Sequence, residues 1–286
     1  AYTDLLSAVP KDYVPRELSS TWTPGIGAVL RAHGGDPNET YLSYRQGYLL
    51  SHCDDNQGDF VLYAKGAPLV GMSLFGYPLH QHDPYVDMHL NFGWFSHPRF
   101  GSRDNTANMR EGANDTDKVG ARNPSSAVHA HAFGPSVDYL RGHTDNEPQR
   151  WTRQIMLLKG KTAAGPNYFV FRDSADPLNG DPDSLVPKWW NLRTVGGKNQ
   201  VRVSAHGLQY TSSFGPRLEV QFLQPERIRA ETRQASRTHN AYAHVDEWRV
   251  DGQPVIPSDK KVWKKTDETL SVTSVGPIDA QQGIVV

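Results

Sequence analysis

The sequence predicts an all-β protein, a large antiparallel β-sandwich, and three observations lead to this prediction. Helical periodicity is almost absent: residues 4–9 could form a short helix, and Pro10, Pro15 and Pro24 interrupt any helix beyond it. Hydrophobic runs of strand length then recur along the chain, each closed by a glycine turn. Several of these runs alternate apolar and polar residues, as strands with one buried face do.

The predicted strands are short and succeed one another along the chain. The first three, 27–33, 41–45 and 60–64, are each followed by glycine. Residues 77–126 are rich in Asp, Asn, Arg, Gly and His with little periodicity, which is typical of a long polar loop inserted in a β domain. Further strands are predicted at 127–132, 137–140, 151–158, 168–173, 189–194, 201–205, 218–223, 228–232, 241–250 and 270–275.

Composition narrows the class of protein. The 286 residues include 30 basic and 31 acidic side chains, so the formal net charge of -1 does not indicate a nucleic-acid partner. Mean hydropathy is -0.61, and no apolar run approaches the length needed to span a membrane. Cys53 is the single cysteine, which excludes an internal disulfide. We therefore expect a polar protein with no nucleic-acid partner and no membrane span.

The most informative stretch is the acidic, amide-rich turn that leads into the strand at 60–64. His52 opens this turn, and Asp54, Asp55, Asn56 and Asp59 come after it. A histidine near acidic groups can act as a general acid or base near neutral pH. The same residues could equally serve only as local hydrogen-bonding groups of a turn.

A second cluster of histidines lies in the polar loop. His80 and His82 are two residues apart, which on a strand directs both imidazoles to one face, and Asp87 or His89 could complete a metal shell. With glycines on both sides, the segment resembles a loose version of the cupin metal motif, although Asp replaces the usual Glu. Surface histidines in an irregular loop explain the pattern equally well.

Other candidates could contact a sugar or its acidic groups. Trp94 and Trp190 could stack on sugar rings, although large aromatic residues are often core. Arg103 in the loop could hold a carboxylate or sulfate in a bidentate manner. His129 and His131 have small apolar neighbours, and we predict that they follow the core alternation of a strand. The chain has no Gly-x-Ser-x-Gly, phosphate-binding loop or dinucleotide fingerprint.

Read together, these segments resemble the C-terminal β-sheet domain of the heparinase II/III-like polysaccharide lyases. That family has a strand ending in glycine, a His-x-His-x-Asp turn, a further strand and a glycine turn. Residues 151–158, 168–173 and 190–194 resemble later strands of the same domain, in the same order. The positions that match the turn motif here are Gly47, His52, Asp54, Asn56, Asp59, Phe60 and Gly66.

The resemblance implies a lyase that cleaves a uronic-acid polysaccharide by β-elimination, with His52 as the catalytic histidine. It implies a sandwich over 21–286 and, at 1–20, a linker or short helix from an upstream helical toroid, or else a toroid supplied by a partner chain. It also implies a secreted or periplasmic protein. Asp54 replaces the histidine that is often a zinc ligand in the family, so a zinc or calcium ion would need other ligands. The resulting candidates are His52 for catalysis, Asn56, Trp94, Arg103 and Trp190 for substrate, and His80, His82 and His89 for the metal.

Two alternatives remain open at this point. One is a non-catalytic carbohydrate-binding or structural sandwich, in which the polar clusters only decorate loops. The other is a cupin-like metalloenzyme that uses His80, His82, Asp87 and His89 as metal ligands.

Overall fold

The computed structural model describes residues 18–47, 58–71, 99–100, 126–146, 149–240, 245–254 and 265–286. Within these ranges the chain forms β-strands and two short 3-10 helices, Pro182–Ser184 and Lys198–Gln200, with no α-helix. In chain order the strands are β1 (Thr21–Thr23), β2 (Gly27–Ala32), β3 (Thr40–Arg45), β4 (Phe60–Ala64), β5 (Ala67–Val70), β6 (Arg99–Phe100), β7 (Ala127–Phe133), β8 (Val137–Asn146), β9 (Gln149–Leu158), β10 (Tyr168–Pro177), β11 (Lys188–Val195), β12 (Val201–Val203), β13 (Gly207–Thr211), β14 (Arg217–Gln221), β15 (Ala230–Asn240), β16 (Val245–Val250), β17 (Gln253–Pro254), β18 (Lys265–Ile278) and β19 (Ile284–Val285). The predicted all-β class is confirmed.

These strands form three antiparallel sheets. The largest has 11 strands in the order β1-β2-β3-β4-β5-β11-β18-β15-β16-β17, and β6 pairs with β11 beside this path. The second has five strands in the order β19-β10-β9-β8-β7, and the third consists of β12-β13-β14. Hairpins connect most neighbours, whereas β11 joins β5 to β18 across the middle of the large sheet.

The core lies between the 11-stranded and five-stranded sheets. Leu42 and Tyr44 in β3 point into it, because alternate residues of a strand face the same side. Ile155 in β9 lies in the same hydrophobic cluster. The rings of Phe60 and Phe171, one from each sheet, meet with centroids 4.9 Å apart. Full burial of each such side chain contributes about 1.5–3 kcal/mol, so contacts of this kind hold the two sheets together.

Most of the predicted strands are confirmed, although several have bounds that differ from the predicted ones. The runs predicted from 27 to 194 all form strands, although β8 and β10 continue beyond the predicted 137–140 and 168–173. β15 and β18 extend well beyond the predicted 228–232 and 270–275, and they pair with each other along 11 residues. β1, β5, β6, β13, β17 and β19 were not predicted, because strands of two to five residues are too short to give a periodic signal.

No helix in the described ranges is long and apolar enough to cross a membrane. Most of the predicted polar loop, 77–126, lies outside the described residues. Arg99–Phe100 within it form a short strand that pairs with Lys188 and Trp189 of β11.

Candidate functional site

The flanks of the predicted catalytic turn define the candidate site. His52 and Asn56 lie at 48–57, outside the described residues, and so does Asp54. The chain enters this segment through Gln46 and Gly47, after β3, and returns through Gly58 and Asp59, before β4. We call these four residues the turn frame.

Gln46 fixes the entrance of the segment to the five-stranded sheet. Its side chain is 1% exposed, and its Oε1 accepts a hydrogen bond from the Tyr44 hydroxyl at 2.6 Å. Its Nε2 lies 2.6 Å from the Ser126 Oγ, 2.5 Å from the Thr144 Oγ1 and 2.9 Å from the His143 carbonyl oxygen. A buried amide with all its polar atoms engaged holds one orientation, so the end of β3 is tied to β7 and β8.

Gly58 fixes the exit of the segment. Its φ of +76° is a conformation that suits glycine, and a Cβ there would lie 2.0 Å from the Trp151 ring. The Gly58 N–H donates to the Arg45 carbonyl at 2.6 Å. Its own carbonyl accepts from the Arg153 Nη1 at 2.8 Å. The backbone at Gly58 is therefore held on both sides, and no larger residue fits this position.

Arg153 is a buried cation with a complete set of partners. Its Nε and Nη2 donate to the two carboxylate oxygens of Asp173 at 2.7 and 2.8 Å, and both side chains are at most 1% exposed. The guanidinium also lies 5.0 Å from the centroid of the Trp151 ring. Burial opposes the charge, but the Asp173 carboxylate outweighs it and raises the pKa of Arg153. Arg153 therefore places a fixed positive charge next to the Gly58 carbonyl.

A second buried pair ties two parts of the chain together. The Asp59 Oδ2 accepts from the Arg193 Nη2 at 3.1 Å, and its Oδ1 accepts from the Phe60 N–H at 2.8 Å. The Arg193 Nε donates to the Gly71 carbonyl at 2.6 Å. Gly71 is the last described residue before 72–98, the segment with His80, His82, His89 and Trp94. One guanidinium thus joins the exit of the His52 segment to the entrance of the next.

Three segments carry the predicted site residues, and the described residues at their ends belong to one hydrogen-bonded region. Gln46 contacts Ser126, which comes directly after the segment 101–125 that carries Arg103. Gly58 and Asp59 end the His52 segment, and Gly71 begins the histidine-rich one. His80, His82, His89, Trp94 and Arg103 themselves lie outside the described residues, so their roles stay predictions. In the part of the chain that the structure describes, no group of three His, Cys, Asp or Glu side chains could hold a metal ion.

Trp190 is corrected from a sugar-stacking residue to a core residue. It is 1% exposed, and its ring meets that of Phe222 edge-on, with centroids 5.2 Å apart. β11 lies in the middle of the large sheet, and six of its eight residues are buried. Trp190 therefore has no free ring face for a sugar.

His129 and His131 are also corrected, because both are exposed rather than packed in the core. The pairing of β7 with β8 shifts between Val128 and Ala130, so His129 is an extra residue in a β-bulge. The ring of His129 turns to His143 on the outer face, with Nδ1 atoms 2.9 Å apart. His131 instead stacks on Trp22 at the side of the sandwich, with centroids 4.6 Å apart.

The two rings of the His129–His143 pair favour the neutral state. Burial lowers the pKa of both histidines, and Arg141 lowers that of His129 further. For His143, the positive charge that His129 would carry and the nearby Arg150 act in the same direction. Sequence reasoning missed this pair because a bulge has no signature in residue type, and His143 stands alone in its strand.

Comparison with known proteins shows what the fold is similar to. The chain is similar to crystal structures of the heparan sulfate lyase HepC from Pedobacter heparinus, over 99% of its length, with TM-scores of 0.64. Identity is 12% to a HepC mutant and 13% to HepC itself, and the chain spans 40% and 39% of those two chains. Comparisons with protein-family models and with curated protein sequences find no match. The fold is thus that of the β-sandwich of a heparinase-like lyase.

Proposed function

We propose that this chain is the β-sandwich portion of a polysaccharide lyase that cleaves a uronic-acid-containing glycan by β-elimination. The observation that carries the proposal is the likeness of almost the whole chain to part of a heparan sulfate lyase. The turn frame supports it, because buried hydrogen bonds hold both ends of the segment that contains His52. Rigid support of this kind is what a catalytic side chain needs.

The proposed reaction makes three demands on the site. A base removes the proton at C5 of the uronate, the C4–O4 bond breaks, and a double bond forms between C4 and C5. The carboxylate next to C5 must be neutralised, and an acid must protonate the leaving oxygen. His52 is proposed either to take the C5 proton or to neutralise the carboxylate. Asn56, Trp94 and Arg103 are proposed to bind the sugar and its acidic groups.

The rest of the cleft is proposed to come from a helical toroid, either upstream in the same protein or in a partner chain. The chain spans only about two fifths of HepC, so a large part of that enzyme has no counterpart here. A secreted or periplasmic location is proposed as well, since polysaccharides of this class lie outside the cytoplasm. A zinc or calcium ion held by His80, His82 and His89 remains a separate proposal, and metal content of the purified protein tests it.

The decisive experiment is a His52→Ala substitution in the complete protein, with any partner chain present. Ultraviolet absorbance of the unsaturated product measures turnover on a panel of uronic-acid polysaccharides. We expect a loss of about 10²-fold or more, because general acid–base groups contribute about 10²–10⁴-fold. His206→Ala is the matched control, since His206 is exposed and lies outside the turn frame.

Two outcomes would contradict the proposal. Full activity in His52→Ala removes the assigned catalytic residue. Binding of glycan with no unsaturated product from any substrate indicates instead the non-catalytic carbohydrate-binding sandwich.

A further inference from the structure

The outer face of the five-stranded sheet carries a pair of imidazoles that the lyase proposal does not use. The bulge in β7 places the His129 ring beside that of His143, with ring centroids 4.8 Å apart and Nδ1 atoms 2.9 Å apart. Bulges redirect single side chains, and they are common next to functional sites. Gly142 and Thr144 on either side of His143 are buried, so His143 itself faces outward. His129 is exposed and His143 is half-buried, so the pair lies at the surface of the sheet.

We propose that His129 and His143 form a two-imidazole binding site for a divalent transition-metal ion. Imidazole is a preferred ligand of copper, nickel and zinc. A metal–nitrogen bond of about 2.0–2.1 Å and an angle of 90° between two bonds would place the nitrogens about 2.8–3.0 Å apart. The two Nδ1 atoms are 2.9 Å apart, so both are close enough to reach one ion once the rings turn.

The order of metals follows from intrinsic affinity. Among divalent first-row ions, affinity for nitrogen ligands rises to copper(II) and falls again at zinc(II). Copper(II) is therefore the expected favourite at this pair.

Metal binding at the pair depends on the protons of the two rings and on the charged side chains nearby. One ring now donates its Nδ1–H to the Nδ1 of the other, so that ring must carry its proton on Nε2 when both Nδ1 atoms bind metal. At a pH where both rings are neutral, this change releases no net proton. Arg141 and Arg150 repel a metal ion, whereas the Asp145 carboxylate on the same face attracts it. Arg150 holds Asp145 in a bidentate ion pair, so we expect moderate affinity.

The test uses the full chain and copper(II), nickel(II) and zinc(II) chlorides as probes. Copper(II) is paramagnetic, so a sub-stoichiometric amount should broaden the amide resonances of Gly142 and Thr144 first. His129→Asn and His143→Asn should each abolish this broadening and weaken calorimetric binding at this site by about 10²-fold, because chelation by two groups is lost. His206→Asn is the matched control, and it should change neither readout.

A second variant tests the charge argument without touching the pair. Arg141→Gln removes a neighbouring positive charge, and we expect it to tighten copper(II) binding by about 2–5-fold at low salt. Two results would overturn the proposal: broadening centred elsewhere in the chain, or unchanged local broadening in both histidine variants. Either result would leave the lyase proposal intact, since that proposal depends on His52.

Discussion

Two arginine–aspartate pairs of almost identical geometry lie on opposite faces of β9. Arg153 meets Asp173 through two hydrogen bonds of 2.7 and 2.8 Å, and Arg150 meets Asp145 through two of 2.5 and 2.9 Å. The inner pair is at most 1% exposed, whereas the outer arginine is 46% exposed. Because the hydrogen-bond lengths are nearly the same, any difference in the stability that the two pairs contribute must come from burial and from the other contacts of each arginine. The inner one also holds the Gly58 carbonyl.

Removal of the inner arginine is expected to have the largest effect. Arg153→Met leaves Asp173 as a buried carboxylate without its main partner, so we expect the free energy of unfolding to fall by about 3–5 kcal/mol. Urea denaturation monitored by tryptophan fluorescence measures this loss. Activity should fall as well, because Gly58 loses its anchor at the exit of the His52 segment.

A double variant separates these two roles of the inner pair. Arg153→Met combined with Asp173→Leu removes both charges, and we expect it to recover much of the lost stability. Activity should remain low, since no donor to the Gly58 carbonyl is restored. If the double variant regains full activity, Arg153 does not support the catalytic segment.

Lys188 in β11 is a third buried cation, and its partner is a backbone carbonyl rather than a carboxylate. Lys188 is 1% exposed and donates to the Ala280 carbonyl at 2.7 Å, and it forms no ion pair within the described ranges. Burial lowers the pKa of Lys188 to about 8, against the attraction of Asp279 and Asp173. Unlike Arg153, this side chain can lose its proton at a moderate pH.

The sign of the pH effect on Lys188 is set by the lowered pKa. Between pH 8 and about 10.5 the unfolded chain binds this proton and the folded chain does not, so stability rises with pH. From pH 7 to 9.5 the free energy of unfolding of the wild type should gain about 2 kcal/mol relative to Lys188→Met. Chemical denaturation of both proteins at a series of pH values checks this. A constant difference between them would show that folding does not lower the pKa of Lys188.

The smallest effect is expected for the outer pair. Arg150→Met should lower the free energy of unfolding by less than about 1 kcal/mol, because water stabilises both charges when the pair separates. The effect should shrink further in about 1 M salt. A loss as large as that of Arg153→Met would mean that hydrogen-bond geometry, rather than burial, sets the strength of these pairs.

The sequence predicts most of the fold because burial leaves a periodic trace. In the predicted strand 151–158, Trp151, Ile155 and Leu157 of β9 are buried at alternate positions, and the structure places Arg153 on the same face. β15 has no such trace, since its residues are nearly all polar and backbone pairing with β18 holds it as a strand. A long polar strand such as β15 therefore cannot be recognised from side-chain pattern alone.

The candidate site is less predictable because its parts come together only in the folded chain. The sequence identifies the His52 segment, but nothing in it shows that Gln46 meets Ser126 or that Arg193 meets Asp59. Trp190 is misassigned for a related reason, since residue type does not reveal that β11 is a central strand. Contacts between distant segments depend on strand order, which local patterns do not encode.

The bulge at His129 has a consequence for how this protein can change over evolutionary time. The extra residue of β7 sets which side chain faces His143, so chain length matters there as much as residue identity. Deletion of a single codon nearby would move His129 out of phase with His143 while both histidines remained in the gene. A lineage could therefore lose or acquire this pair by one insertion or deletion, without any substitution of a histidine.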